Sequence, residues 1–146
     1  CIGSGCTTGV RETRRVVGDY IIDAEELAKG CRFSDAIVHK ALFIVDIHNP
    51  EGAGQAEEKI QYCQPYDLPY RCFLPKGIEG LMVAGRCISG THRAHASYRV
   101  MSICMAMGEA VGIAAAMSAQ QSCTPRELDV TALQSLMSGI GIELFD

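Results

Sequence analysis

No two of the chain's eight cysteines form a CxxC pair; they stand at positions 1, 6, 31, 63, 72, 87, 104 and 123. The spacing of zinc ribbons and dithiol redox motifs is therefore missing. At 146 residues the chain is also longer than most small secreted scaffolds stapled by disulfides. Several cysteines, Cys104 among them, lie in apolar runs where a free thiol behaves as a small hydrophobe. Reduced, mostly buried cysteines are expected. A ligand set of Cys87, His92, His95 and Cys104 matches no recurring zinc pattern, and no metal site is expected. Aromatic residues make up only 6% and do not interleave with basic ones, while the net charge is −4. Both features exclude a general nucleic-acid surface. There is no GxSxG elbow, no Walker loop and no persuasive carboxylate pair for glycosidase chemistry. The one early glycine cluster, Gly3-Ser4-Gly5-Cys6-Thr7-Thr8-Gly9, sets its third glycine one residue too late for GxGxxG. No apolar strand precedes it, so it reads as a lead-in and not as a pyrophosphate clamp.

What is present is one domain's worth of ordinary globular chain, 48% hydrophobic and 21% charged. Residues 10–20 are rich in β-branched residues and charges, which predicts a strand ending at Gly18-Asp19. Asp23 predicts a helix cap, with Gly30 closing a short helix behind it. Ser34-Asp35 predicts a brief helical turn through Val38, and residues 41–47 a buried strand. Residues 49–54 read as a turn and 55–62 as exposed polar chain. Residues 66–74 are strand-like, with Pro65, Pro69 and Pro75 at edges or bends. A last amphipathic helix is expected over 130–137, between Pro125 and Gly139.

The densest stretch is residues 81–119. A short apolar run, 81–84, predicts a buried strand that ends at Gly85. A polar loop follows, and then one long helix from about Ala96 to Ala119 with Gly108, Gly112 and Ala116 recurring on one face. That stripe allows close approach to a sheet or a flat cofactor. Residues 100–118 form the only membrane candidate. Glu109 in the middle and the many alanines and glycines favour a core helix packed on a sheet, so no membrane is expected.

The run VAGRCISGTHRAHASYRVMSICMAMGEAVGIAAA resembles the C-terminal flavin-binding segment of a family of FAD-dependent oxidoreductases, distantly similar to fumarate reductase and succinate dehydrogenase flavoproteins. Three further runs are similar to the same family in the same order. They are Gly9-Val10-Arg11-Glu12-Thr13-Arg14-Arg15-Val16-Val17-Gly18-Asp19-Tyr20, then Val45-Asp46-Ile47-His48, then Leu68-Pro69-Tyr70-Arg71 through Leu74-Pro75-Lys76-Gly77. The resemblance implies a mixed α+β chain, the C-terminal fragment of an FAD/NAD(P)-binding Rossmann-like flavoprotein, with short strands and one long buried helix. Residues 1–8 would be a lead-in and 9–77 part of the substrate-side domain. Residues 78–122 would be the last strand and helix of the FAD-binding domain, and 123–146 a C-terminal helix and tail. The implied cofactor is FAD, and the implied partners are a small-molecule substrate and a missing N-terminal nucleotide-binding half. No signal peptide is visible, and the cytoplasm is favoured.

Candidate residues follow. Gly85 and Arg86 come at a strand end, where α/β proteins place ligands. Arg86 departs from the acidic residue that larger flavoproteins often carry there, and also reads as a surface arginine. By resemblance, Ser97, Arg99, Val100 and Met101 form the helix entrance beneath the flavin ring. A helix N-terminus there attracts the negative charge that reduced flavin gathers. Ser97 as a plain cap and Arg99 as a solvated charge are the competing readings. His92 and His95 in the preceding loop, and His48 after the 41–47 run, are candidates to donate to a carbonyl or accept a hydroxyl proton. Read as a strand, residues 11–15 put Arg11, Thr13 and Arg15 on one face, with Arg11 and Arg15 as candidate substrate contacts, and Glu12 beside Arg14 on the other. The leading expectation is a segment of an oxidoreductase that transfers hydride between a small organic substrate and flavin, inactive alone. The alternative is a non-enzymatic fragment that self-associates through its apolar surface as a homo-oligomer.

Overall fold

The computed structural model describes residues 9–47, 49 and 62–144 of the chain. Its order is helix α1 (Ala24–Lys29), strand β1 (Ala36–Ala41), strand β2 (Tyr66–Pro69), a 3-10 turn (Tyr70–Phe73), a second 3-10 turn (Gly85–Cys87), helix α2 (His92–Tyr98), helix α3 (Met101–Gln121) and helix α4 (Val130–Gly139). The architecture is thus a mixed α+β body around a small antiparallel sheet.

Local chemistry sets α1. Asp23 Oδ1 accepts from the N–H groups of Glu25 and Glu26, and Glu26 returns a bond to the Asp23 N–H, a complete capping box. Gly30 closes the helix in the left-handed conformation. The sheet pairs Ala36 with Pro69, Val38 with Leu68 and Ala41 with Tyr66. Its register slips between Val38 and Ala41, where Lys40 takes a φ of 51°. Pro69 ends β2, where a missing N–H costs no ladder bond.

Leu27, Ile37, Tyr66, Leu68 and Phe73 are fully or almost fully buried around this sheet. Each such side chain contributes roughly 1.5–3 kcal/mol of burial free energy. Helix α4 adds Leu133 and Met137 and is stitched to β1 by Gln134, whose Nε2 donates to the carbonyls of Ser34 and Ala36, 2.9 Å each. Asp129 caps α4 by accepting from Thr131 and Ala132, so the expected last helix forms and runs slightly further.

Several expectations are corrected. Residues 10–17 form no strand. They run alongside the loops at 71–76 and 87–89, tied by Val16 N–H to the Cys87 carbonyl and Lys76 N–H to the Val17 carbonyl. The turn at Ser34-Asp35 leads into β1 and not into a helix, because Ala36–Ala41 finds β2 as a partner. Consequently no strand continues through 42–47, and Leu42 is exposed. No strand forms at 81–84 either; Leu81 is 46% exposed, and Val83 only lends its N–H to the Phe73 carbonyl. Most of the turn and polar run at 49–62 lies outside the described residues.

The long helix is interrupted at Arg99-Val100, giving α2 and α3, and α3 is not buried as expected. It inserts one stripe, Ile103, Met107, Ala110, Ala114 and Ser118, and leaves the rest of its surface open. By length and composition alone it is apolar enough to cross a membrane, with 28% of that stretch buried. Gly108, Gly112 and Ala116 lie on the open side, where a Cβ added to either glycine would meet nothing within 4 Å.

Candidate functional site

Two of the expected cofactor contacts converge. The Gly85–Cys87 turn lies over the first turn of α3, so that a Cβ on Gly85 would sit 3.9 Å from Cys104 Sγ and meet nothing else. Gly85 has a φ of +81°, which a side chain would strain. Helix α3 begins at Met101 behind Val100, and no side chain caps it. The first-turn N–H groups of a 21-residue helix thus meet an approachable stretch of backbone. Met101 is 83% exposed at this corner. Backbone donors and the positive helix end are present at this corner, and no side chain of the described residues caps them.

Ser97 does not stand at the start of the long helix. It sits in the last turn of α2, fully buried, with its hydroxyl donating to the Phe43 carbonyl at 2.7 Å and 2.9 Å from Tyr66 Oη. Thr91 is the residue that caps α2, accepting from the Ala94 N–H. Burial drives the Tyr66 hydroxyl far above its ordinary pKa, so it stays protonated. Arg99 is not a solvated charge. Its Nη2 donates to the Asp46 carbonyl at 2.6 Å and stands 3.5 Å from the Asp46 carboxylate, holding the 45–47 segment against the α2–α3 junction.

The two histidines separate. Helix α2 carries His92 outward, where Nδ1 lies 2.6 Å from Glu12 Oε2. Glu12 also pairs with Arg15. The strand reading of 11–15 is therefore corrected: Glu12 and Arg15 share a side, and Glu12 pairs with Arg15 three residues on, not with Arg14. This carboxylate assigns the imidazole proton to Nδ1 and leaves the His92 Nε2 lone pair open. His95 is completely buried, with neither ring nitrogen hydrogen-bonded, and packs edge-on against Tyr98. Glu12 Oε2 lies 3.5 Å from its Nδ1 but is already engaged by His92, while Oε1 is held by Arg15. Burial first, then Arg99, Arg15, His92 and Arg86, pull the His95 pKa down to about 4. His95 is thus neutral and enclosed, and it is Tyr98 and Gly90 that fix its surroundings. A Cβ on Gly90 would fall 2.8 Å from the Tyr98 ring, so only glycine admits that ring. His48 lies outside the described residues.

Arg11, Thr13 and Arg14 face solvent beside Arg86, whose Nη1 donates to the Val10 carbonyl at 2.8 Å. Together they line a cleft of about 460 Å³. Glu12, which joins this cleft to His92, is the residue that sequence reasoning undervalued. Its partner His92 lies 80 residues away, and only the spacing of Glu12 and Arg15, read as a turn, would have signalled it. Among the described residues no three His, Cys, Asp or Glu side chains converge as metal ligands, so the imagined set with Cys87 and Cys104 does not assemble.

A family profile described as FAD dependent oxidoreductase matches residues 2–137. The chain belongs to that family. Its cofactor is accordingly FAD. No curated protein and no solved structure matches the chain.

Proposed function

We propose that this member of the FAD-dependent oxidoreductases supplies the floor of the flavin ring and part of the substrate wall for hydride transfer to or from a small organic substrate. The observation that carries the reading is the convergence of Gly85 with the uncapped start of α3. Gly85, Arg86, Val100 and Met101 would hold the ring edge, with backbone N–H groups and the helix field favouring the reduced, negatively charged form. When bound, FAD supplies a two-electron acceptor. His92 takes the hydroxyl proton of an alcohol substrate at Nε2, and Glu12 steadies the imidazolium that results. His95, buried and neutral, is a positioning residue that packs α2 and is no proton carrier.

The Rossmann-like ancestry, the likeness to fumarate reductase flavoproteins and the C-terminal placement are part of the same proposal, resting on the motif order in residues 9–116. So are its partners. The open apolar side of α3, with Met101 and Met105 83% and 74% exposed, is the surface we assign to the nucleotide-binding half. Titration of the purified chain with FAD, read by flavin absorbance, is the test. Saturable binding that Gly85→Val abolishes while the circular dichroism stays unchanged is the expected result. Absence of binding both alone and with a nucleotide-binding half added in trans would overturn it.

A further inference from the structure

Five arginines of the described residues are held by carboxylates and three are not. Arg15, Arg32, Arg71, Arg99 and Arg126 each reach a carboxylate, respectively Glu12, Asp67, Asp35, Asp46 and Asp19. Arg11 and Arg14 make no hydrogen bond or ion pair to the described residues, and Arg86 reaches only the backbone carbonyl of Val10. These three line one cleft. In a chain of net charge −4, placing three arginines that lack a carboxylate in one concavity runs against the overall sign.

We propose that this cleft is a recognition site for a small organic oxyanion, a carboxylate or phosphate carried by the substrate, with Arg11 and Arg14 as its ligands. The word substrate rests on the flavin reading; the anion site itself does not. The volume of about 460 Å³ is within the range of roughly 300–1,000 Å³ of small-molecule sites. The one carboxylate on its wall, Glu12, is held by Arg15 and His92 and so competes little for Arg11 and Arg14. A planar guanidinium fork matches a carboxylate or phosphate through two parallel N–H bonds, which a point charge does not. Thr13 adds a hydroxyl, and the anchored Arg86 keeps the N–H groups not bound to Val10 for the ligand. Arg14 thereby replaces Arg15 as the partner of Arg11 in the substrate role. The cleft adjoins His92 through Glu12, so an anion held there lies next to the residue assigned the proton.

Calorimetric titration of the chain with citrate and with inorganic pyrophosphate, at low salt, tests the assignment. Saturable binding of one of them is expected, and whichever binds tighter names the anion. Arg11→Gln/Arg14→Gln should weaken it at least about tenfold, since each lost charge-assisted bond is worth that or more. Both residues are exposed, and unchanged circular dichroism will show that the variant folds. No binding of either anion, or equal affinity in the double variant, overturns the site. Displacement of the anion by FAD but not by riboflavin also overturns it, because the cleft then belongs to the cofactor's phosphates. Anion binding without FAD binding, alone and with a nucleotide-binding half in trans, would leave the site standing and remove the flavin reading; FAD binding without anion binding would do the reverse.

Discussion

Helices α2 and α3 are neighbours in sequence and opposites in burial. The seven residues of α2, His-Arg-Ala-His-Ala-Ser-Tyr, are polar, yet Ala94, His95, Ala96, Ser97 and Tyr98 are all buried. The 21 residues of α3 are almost entirely apolar or small, yet only five are buried, spaced three or four apart on a single stripe. Composition therefore does not decide which helix forms the core. Helix α2 is enclosed because the 9–22 segment, the 43–47 segment and β2 surround it, through Thr91 N–H to the Ile22 carbonyl, Asp46 N–H to the Ala96 carbonyl and the Tyr66–Ser97 contact. Helix α3 has the sheet on one side and no neighbour opposite among the described residues.

The strongest way to break this comparison is truncation on each helix. Tyr98→Ala removes a fully buried ring that fills the space left by Gly90 and sends its hydroxyl to the Ile88 carbonyl at 3.3 Å. It should cost about 3–5 kcal/mol in denaturant unfolding. Met105→Ala, on the open side of α3, should stay within about 0.5 kcal/mol of the parent. Similar losses at the two positions would mean that α3 is covered in solution.

A smaller effect concerns pH. His95 is depressed from 6.5 to about 4, so between those values the unfolded chain binds a proton that the folded chain refuses. Stability must then rise with pH across that window and fall as the pH drops from 6.5 toward 4. The full difference is on the order of 3 kcal/mol at 1.36 kcal/mol per pKa unit. His95→Leu should flatten the part of the profile that belongs to this group. It should change little at pH 7, since the ring there is neutral and its nitrogens are unpartnered. A difference between parent and variant that stays constant from pH 7 to pH 4 would show that His95 is hydrated and ordinary.

How much of this was legible in the sequence follows from the range of the interactions. Asp23, Gly30 and Asp129 act within three or four residues, and the helices they bound were readable. The 81–84 run read as a strand because its apolar character was visible, while the absence of a pairing partner was not. The strands that do form were misplaced by a few residues for the same reason, since Ala36–Ala41 is fixed by its pairing with β2, Ala36 with Pro69 and Ala41 with Tyr66, and not by its own pattern. At the site, Gly85, Arg86, Val100 and Met101 stood in a recognisable order. The roles of Ser97 and Arg15 did not. Ser97 is taken by the Phe43 carbonyl, and Arg15 by Glu12, both decided by how distant loops fold over α2.

The smallest effect sharpens the comparison most. Gly108 lies inside α3, on its open side, with no atom within 4 Å of where a Cβ would stand. A glycine in a helix interior costs roughly 0.5–1 kcal/mol relative to alanine through its unfolded-state freedom. If that side is open, Gly108→Ala stabilises the chain by about this amount. Sedimentation should show no change of mass. If instead a second body lies against the glycine stripe, the added methyl meets backbone at less than contact distance. The variant then loses stability and, where that body is another copy, loses its association as well. The sign of a sub-kilocalorie shift thus decides whether the apolar character of α3 serves a partner in close contact or a helix that keeps one face free.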